Sequence, residues 1–96
     1  MKIRFLSVAE AELNEAIIYY DEKERGLGLQ FLADFRTSLE RILAHPDAWM
    51  PLSPNTRRCR LRIFPYGVIY QHRKDEILIV GVSGLHREPS HWKNRI

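Results

Sequence analysis

The sequence predicts an α+β domain of two layers in the order β-α-α-β-β-β, with a two-helix hairpin packed on one face of a small antiparallel sheet. Apolar residues recur at helical spacing through two stretches between residues 8 and 44, and the period changes to two from Arg57 onward. The chain has 96 residues and a mass of 11.4 kDa, too little to bury two cores, so residues 1–96 are read as one domain. Two amphipathic helices cover only one face of such a sheet, which leaves the other face open.

Lys2 to Leu6 alternate polar and apolar residues and place Ile3 and Phe5 on one face, as a half-buried first strand requires. Ser7 and Glu10 have capping-box spacing, so the first helix is expected to start at Val8. Leu13, Ile17 and Tyr20 form its apolar stripe, and Glu10, Glu12 and Glu15 suit the positive end of its macrodipole. Gly26 is positioned to end it in the left-handed conformation. The second helix carries Leu32, Phe35, Leu39 and Ile42 at spacings of three and four, widened by Phe31 and Leu43, and runs to about Ala44.

Pro46, Pro51 and Pro54 then predict a loop without regular structure through residues 45–56. From Arg57, Cys59, Leu61 and Ile63 face one way while Arg58, Arg60 and Arg62 face the other. Pro65-Tyr66-Gly67 and Lys74-Asp75-Glu76 have turn chemistry, which separates strands at Val68–His72 and Ile77–Val82. The tail after Leu85 is polar apart from Trp92, so its order must come from docking.

A composition of 45% hydrophobic and 28% charged residues belongs to a globular protein. No apolar run approaches the roughly 18 residues of a membrane span, and the early glutamates interrupt any secretory signal, so a cytoplasmic protein is expected. One cysteine and four scattered histidines, His72, His86 and His91 among them, lack zinc-site spacing, and no cofactor motif occurs, so neither metal nor cofactor is expected. Net charge is +3, but it is unevenly spread. Residues 1–44 hold six Lys/Arg against eight Asp/Glu, and residues 45–96 hold nine against four. A basic half of this kind suits an acidic partner: nucleic acid, an acidic polypeptide or an enzyme that handles nucleic acid.

Arg58, Arg60 and Arg62 at alternate positions would set guanidinium groups about 6.5 to 7 Å apart on the open face, near the spacing of successive phosphates. The plainer reading is a strand face charged for solubility. His86, Arg87, His91 and Trp92 offer proton donors, a fixed charge and a stacking platform, although a docked tail with Trp92 on the sheet explains the same residues. Cys59 alternates with the apolar set and reads as a core residue. No glycine-rich phosphate loop, carboxylate pair or Ser/His/Asp constellation is present.

The order and spacing of several segments resemble the RelE/ParE superfamily of bacterial type II toxins, also described as plasmid stabilisation proteins. The carriers are Ala9-Glu10-Ala11-Glu12-Leu13, Glu15-Ala16-Ile17, Tyr19-Tyr20, Gly26-Leu27-Gly28 with Phe31, Ile42 to Pro46, Arg57-Arg58, Phe64-Pro65-Tyr66, Ile69-Tyr70, Arg87-Glu88-Pro89, Trp92 and Arg95. The resemblance implies the β-α-α-β-β-β fold and a cognate acidic antitoxin that wraps the toxin in a hetero-oligomer. It also implies one of two targets. A RelE-like branch cleaves mRNA in the ribosome, using basic residues on the open sheet face, an arginine on the middle strand and a tyrosine in the tail. A ParE-like branch poisons DNA gyrase without hydrolytic chemistry. Here Gly67 follows Tyr66 where that arginine would stand, and Trp92 stands for the tyrosine; indole cannot act as a general acid. Gly84, His86 and Arg87 also replace the histidine and paired arginines usual in the ParE-like branch.

The leading expectation is therefore a ParE-like gyrase inhibitor in which Arg58, Arg60, Arg62, Arg87 and Trp92 contact target or antitoxin. The alternative is a ribosome-dependent mRNA endonuclease using His86, His91 and Arg87. A nontoxic nucleic-acid-binding module is the third reading.

Overall fold

A computed structural model describes residues 1–87 and 90–96. Glu88 and Pro89, part of one motif that carries the family resemblance, lie outside the described residues. The elements are β1 (Lys2–Phe5), α1 (Ser7–Lys23), α2 (Leu27–Ala44), β2 (Met50–Ser53), β3 (Thr56–Arg60), β4 (Tyr66–Arg73), β5 (Glu76–Gly84) and a 3₁₀ helix at His91–Arg95. The five strands form one sheet in the order β1-β5-β4-β3-β2. The β2 to β5 pairs are antiparallel, whereas β1 lies parallel to β5, from Lys2 opposite Glu76 to Phe5 opposite Ile79. The sheet is thus mixed: β1 reaches its place only after a crossover through both helices, the kind of connection a parallel pair needs.

Two local expectations at the helix ends change. Ser7 is already helical, the cap is Leu6, and no side chain caps it. Leu6 finishes β1 by donating its amide to Ile79 O at 3.0 Å, while its carbonyl accepts from Ala9 and Glu10. With the cap at Leu6, Ala9 rather than Glu10 stands at the third helical position, so the capping box cannot close. Gly26 does adopt φ 94°, but it opens α2, because α1 has already ended at Glu24. Asp21 bridges the two helices, accepting from the Gly26 and Gly28 amides at 2.9 and 3.2 Å.

The prolines do not keep residues 45–56 irregular. Met50–Ser53 is a strand, with Pro51 opposite Arg57 and a register shift before Ser53. It is the outer strand of the sheet, where a residue lacking an amide proton breaks no ladder bond. The β3 strand, conversely, ends early. Leu61 turns its amide to Tyr66 O, and Asp34 on α2 accepts from the amides of Arg62, Ile63 and Phe64 at 3.1, 2.9 and 3.0 Å. Arg62 therefore lies in a clamped loop rather than third in an arginine ladder, and Ile63 is 77% exposed instead of facing the core.

The main core lies between helices and sheet. Ala9 and Ala16 of α1 and Phe31, Phe35 and Ile42 of α2 meet Cys59, Val68, Tyr70, Ile77, Ile79 and Val82. Burial pushes the Cys59 thiol up, as befits a packed side chain. A smaller apolar cluster occupies the opposite sheet face, where Ile69, Leu78 and Val80 carry Trp92 from the tail. The ladder between β4 and β5 shifts by one residue between Ile69 and Tyr70, which returns Val82 to the helix side after Val80. Asp34 is 4% exposed and serves three amides. Asp34→Ala should thus cost about 2 to 4 kcal/mol in chemical denaturation, with Asp34→Asn intermediate because it keeps one acceptor oxygen.

Candidate functional site

The end of β5 beyond β1 has an uncovered edge, and α1 crosses it. Glu12 lies on the same helix face as Ala9 and Ala16, three and four residues away, so its carboxylate arrives at that edge. One oxygen accepts from the Val82 amide at 3.0 Å and from Arg95 Nη1 at 2.8 Å; the other accepts from Arg95 Nη2 at 2.9 Å and Arg87 Nη1 at 3.0 Å. Arg95 also donates to Val80 O at 3.0 Å. Both side chains of the bidentate pair are nearly enclosed, at 11% exposed for Glu12 and 13% for Arg95. Gly81 makes the approach possible, since a Cβ there would stand 3.0 Å from Arg95 Nη1.

Burial pushes the Glu12 carboxyl up, but the Arg95 hydrogen bond, the Val82 amide and the charges of Arg95 and Arg87 outweigh it. The carboxyl is held below its ordinary range. In the same cluster, the hydrogen bond that Arg95 donates to Glu12 raises the Arg95 guanidinium against the opposing effect of burial.

Beside this cluster lies an open cleft of about 500 Å³. Tyr19, Tyr66, Ser83, His86 and Arg87 line it together with Glu12 and Glu15. Burial first, then the neighbouring Tyr19, raises the Tyr66 phenol, so its proton stays on at neutral pH. His86 and Arg87 are thus brought together at the mouth of the cleft. His91 is not with them; it lies in the 3₁₀ helix next to Trp92.

Arg58 and Arg60 project from β3 on the face away from the helices, in register with Ile69 and Gly67. Gly67 has a structural use here, because a Cβ at that position would meet Arg58 Cδ and Cγ at 2.8 and 2.9 Å. The missing side chain makes a bed for the Arg58 stem. Arg58 Nη2 contacts Met50 Sδ at 3.6 Å, and its buried Nε has no hydrogen-bond partner among the described residues.

Trp92 differs most from its expected role as a surface anchor. It is 3% exposed, packed on Ile69, Leu78 and Val80, and its indole nitrogen is buried without a hydrogen-bond partner among the described residues. An apolar strip on the sheet offers the bulky ring more than solvent does, so the tail docks through it. Sequence reasoning missed Glu12 and Arg95 as a site. Their signal was a carboxylate on the Ala9–Ala16 face of a helix, where a side chain is covered and must find partners.

The family model described as ParE toxin of type II toxin-antitoxin system, parDE, matches residues 3–88. A chain from the chromosomal ParDE TA system from P. aeruginosa superposes with a TM-score of 0.75 at 18% identity, covering 88% of this chain and 95% of that one. The isolated E. coli RelE toxin superposes with a TM-score of 0.64 at 17% identity, covering 98% and 94%. At these identities the likeness concerns the fold. No curated protein sequence matches the chain.

Two outcomes follow from the geometry. Trp92→Ala should lower stability by roughly 3 to 5 kcal/mol in urea denaturation, the cost of emptying a buried aromatic site. Glu12→Gln should flatten the acid limb of the stability profile. With its carboxyl held low in the folded chain, Glu12 stabilises fully above its unfolded-state value and loses that contribution as pH falls through the depressed one. Wild type should therefore lose more stability than Glu12→Gln between pH 7 and pH 3. A residual slope is expected from Asp47 and Glu76, which the His72 and Arg4 hydrogen bonds, respectively, chiefly hold low.

Proposed function

The chain belongs to the family of ParE toxins of type II toxin-antitoxin systems, and from that premise we propose that it inhibits DNA gyrase or a similar DNA-processing target and is neutralised by a cognate acidic antitoxin. The observation that carries this reading is the fate of the two positions at which a RelE-like nuclease would keep catalytic groups. Gly67 lies under the Arg58 stem, and the position of the tail tyrosine holds a buried Trp92. Both are given over to packing. Arg58, Arg60 and Arg87 remain as charges able to hold an acidic surface, and Arg87 reaches the rim of the cleft with its side chain 48% exposed. Trp92, buried on Ile69, Leu78 and Val80, would serve by seating the tail, and Arg62 is an exposed charge in the loop after β3.

No helix among the described residues is long and apolar enough to cross a membrane. The proposed setting is the bacterial cytoplasm, where antitoxin and target would both be met. The antitoxin segment would be disordered when free, since a wrapping acidic segment covers more basic surface than a rigid partner of equal length.

A second reading, ribosome-dependent mRNA cleavage, is favoured by the grouping of His86, Arg87, Tyr19 and Tyr66 around one cleft. The two readings separate on variants. In the gyrase reading, Arg87→Ala abolishes growth inhibition while melting close to wild type, because an ion pair with one largely exposed member contributes at most about 1 kcal/mol. His86→Ala then changes little. Induction of the wild-type chain should produce gyrase-dependent DNA breaks with ribosome-bound mRNA intact. Codon-dependent cleavage of mRNA by purified protein and ribosomes, lost in His86→Ala by the 10² to 10⁴ in rate typical of acid-base catalysis, would replace the gyrase reading with the nuclease one.

A further inference from the structure

A second basic surface runs from the turn between β4 and β5 along the sheet to the 3₁₀ helix, apart from the cleft beside Glu12. Two shallow grooves meet there at Arg73. One carries Lys2, His72, Lys74 and Asp75; the other carries Ser53, Asn55, Gln71 and Lys93. Lys2, Arg73, Lys74 and Lys93 are exposed. Of the nearby acids, Glu76 is taken by Arg4 at 3.0 and 3.2 Å and Asp47 by His72 at 2.8 Å, leaving Asp75 in the groove. The charges of Arg73 and Lys2 converge here, since both add to the Arg4 hydrogen bond that holds the Glu76 carboxyl low.

The arginine at the junction is held in place. Arg73 Nε donates to Gln71 Oε1 at 3.0 Å, and Gln71 Nε2 donates to Thr56 Oγ1 at 3.1 Å. Gln71 is 4% exposed and Thr56 is fully buried. A buried amide and hydroxyl are costly unless their hydrogen bonds are made, and here they are spent on fixing the plane of one guanidinium. Among the described residues no carboxylate pairs with Arg73, so the Nη edge of that plane stays available.

We propose that these joined grooves bind the phosphodiester backbone of nucleic acid, with Arg73 as the fixed phosphate ligand and Lys2, Lys74 and Lys93 flanking it. A pre-oriented arginine presents two parallel donors to a phosphate, and serine and asparagine beside lysine complete the usual set of backbone contacts. The groove reads no sequence, since it offers cations and small polar groups rather than an element that enters a base-pair groove. This surface goes beyond the gyrase reading, and it does not use Arg58 or Arg87.

The test is fluorescence anisotropy of a labelled 20-base-pair duplex with the full chain across a series of salt concentrations and without gyrase. Affinity should fall with salt with a log-log slope of about −3, as three to four neutralised phosphates require. Arg73→Gln and Lys93→Gln should each weaken binding several-fold and reduce the slope by about 1, with unchanged melting curves. Gln71→Leu should weaken binding while leaving the charge in place, which a merely diffuse attraction would not show. Wild-type affinity in both charge variants would overturn the proposal. So would a larger loss from Arg58→Gln, which would move the site to β3, or displacement of the duplex by polyglutamate of equal charge as readily as by unlabelled DNA, which would make this an acidic-peptide surface. Because gyrase is absent, DNA affinity and gyrase inhibition can fail separately.

Discussion

Glu12 stands where three parts of the chain meet. Its carboxylate takes a main-chain amide that β5 cannot pair within the sheet, together with an arginine from the tail and another from the loop after β5. Remove it and the Arg95 guanidinium is left nearly enclosed, with the Val80 carbonyl as its remaining partner among the described residues, while the Val82 amide loses its acceptor. Such a loss exceeds that of a surface ion pair, because an unpaired charge and an unpaired amide remain behind in a covered site. The seating of Trp92 depends on the same contact. Arg95 follows Trp92 in one short 3₁₀ helix, so fixing the arginine at the sheet edge fixes the ring over Ile69, Leu78 and Val80.

Carboxylates on the helices recur as clamps on backbone that lacks a ladder partner. Asp34 holds the loop after β3, and Asp21 holds the joint between the helices. Three of the eight acids of residues 1–44 thus do structural work, while Glu10, Glu15, Glu22, Glu24 and Glu40 stay exposed, as does much of the positive charge of the second half.

Much of the fold could be read from residue patterns. Of the stripe read for the second helix, Phe31, Phe35, Leu39 and Ile42 join the core while Leu32 lies outside it and Leu43 is exposed, and the alternation through Arg58, Cys59 and Arg60 gave a strand with one basic side. The same patterns failed wherever a long-range partner decided the outcome. Pro51 argued against a strand, yet an edge position tolerates it. Arg62 continued the alternation, yet Asp34, 28 residues earlier, captures its amide and ends the strand. Glu12 looked like a macrodipole residue because its partners lie 70 and 83 positions away. Trp92 allowed two readings, a contact for a partner and a docked tail, and the strip of Ile69, Leu78 and Val80 beneath it decides for the docked tail. For the candidate site, residue types were legible and their grouping was not. His86 and Arg87 share a cleft with two tyrosines, while His91 belongs with the packed tail.

The chain is a member of the ParE toxin family, and its proposed function rests on the contacts its surfaces make. Its surfaces are then only as well placed as the tail and sheet edge that carry them, and both rest on Glu12. A double-mutant cycle between Glu12→Gln and Arg95→Gln, read by urea denaturation at pH 7, tests this most directly. The account predicts a coupling energy of about 2 kcal/mol or more, as expected of a covered, bidentate pair with shared main-chain bonds. Additive losses, with coupling below about 0.5 kcal/mol, would contradict it and reduce the contact to an ordinary surface ion pair.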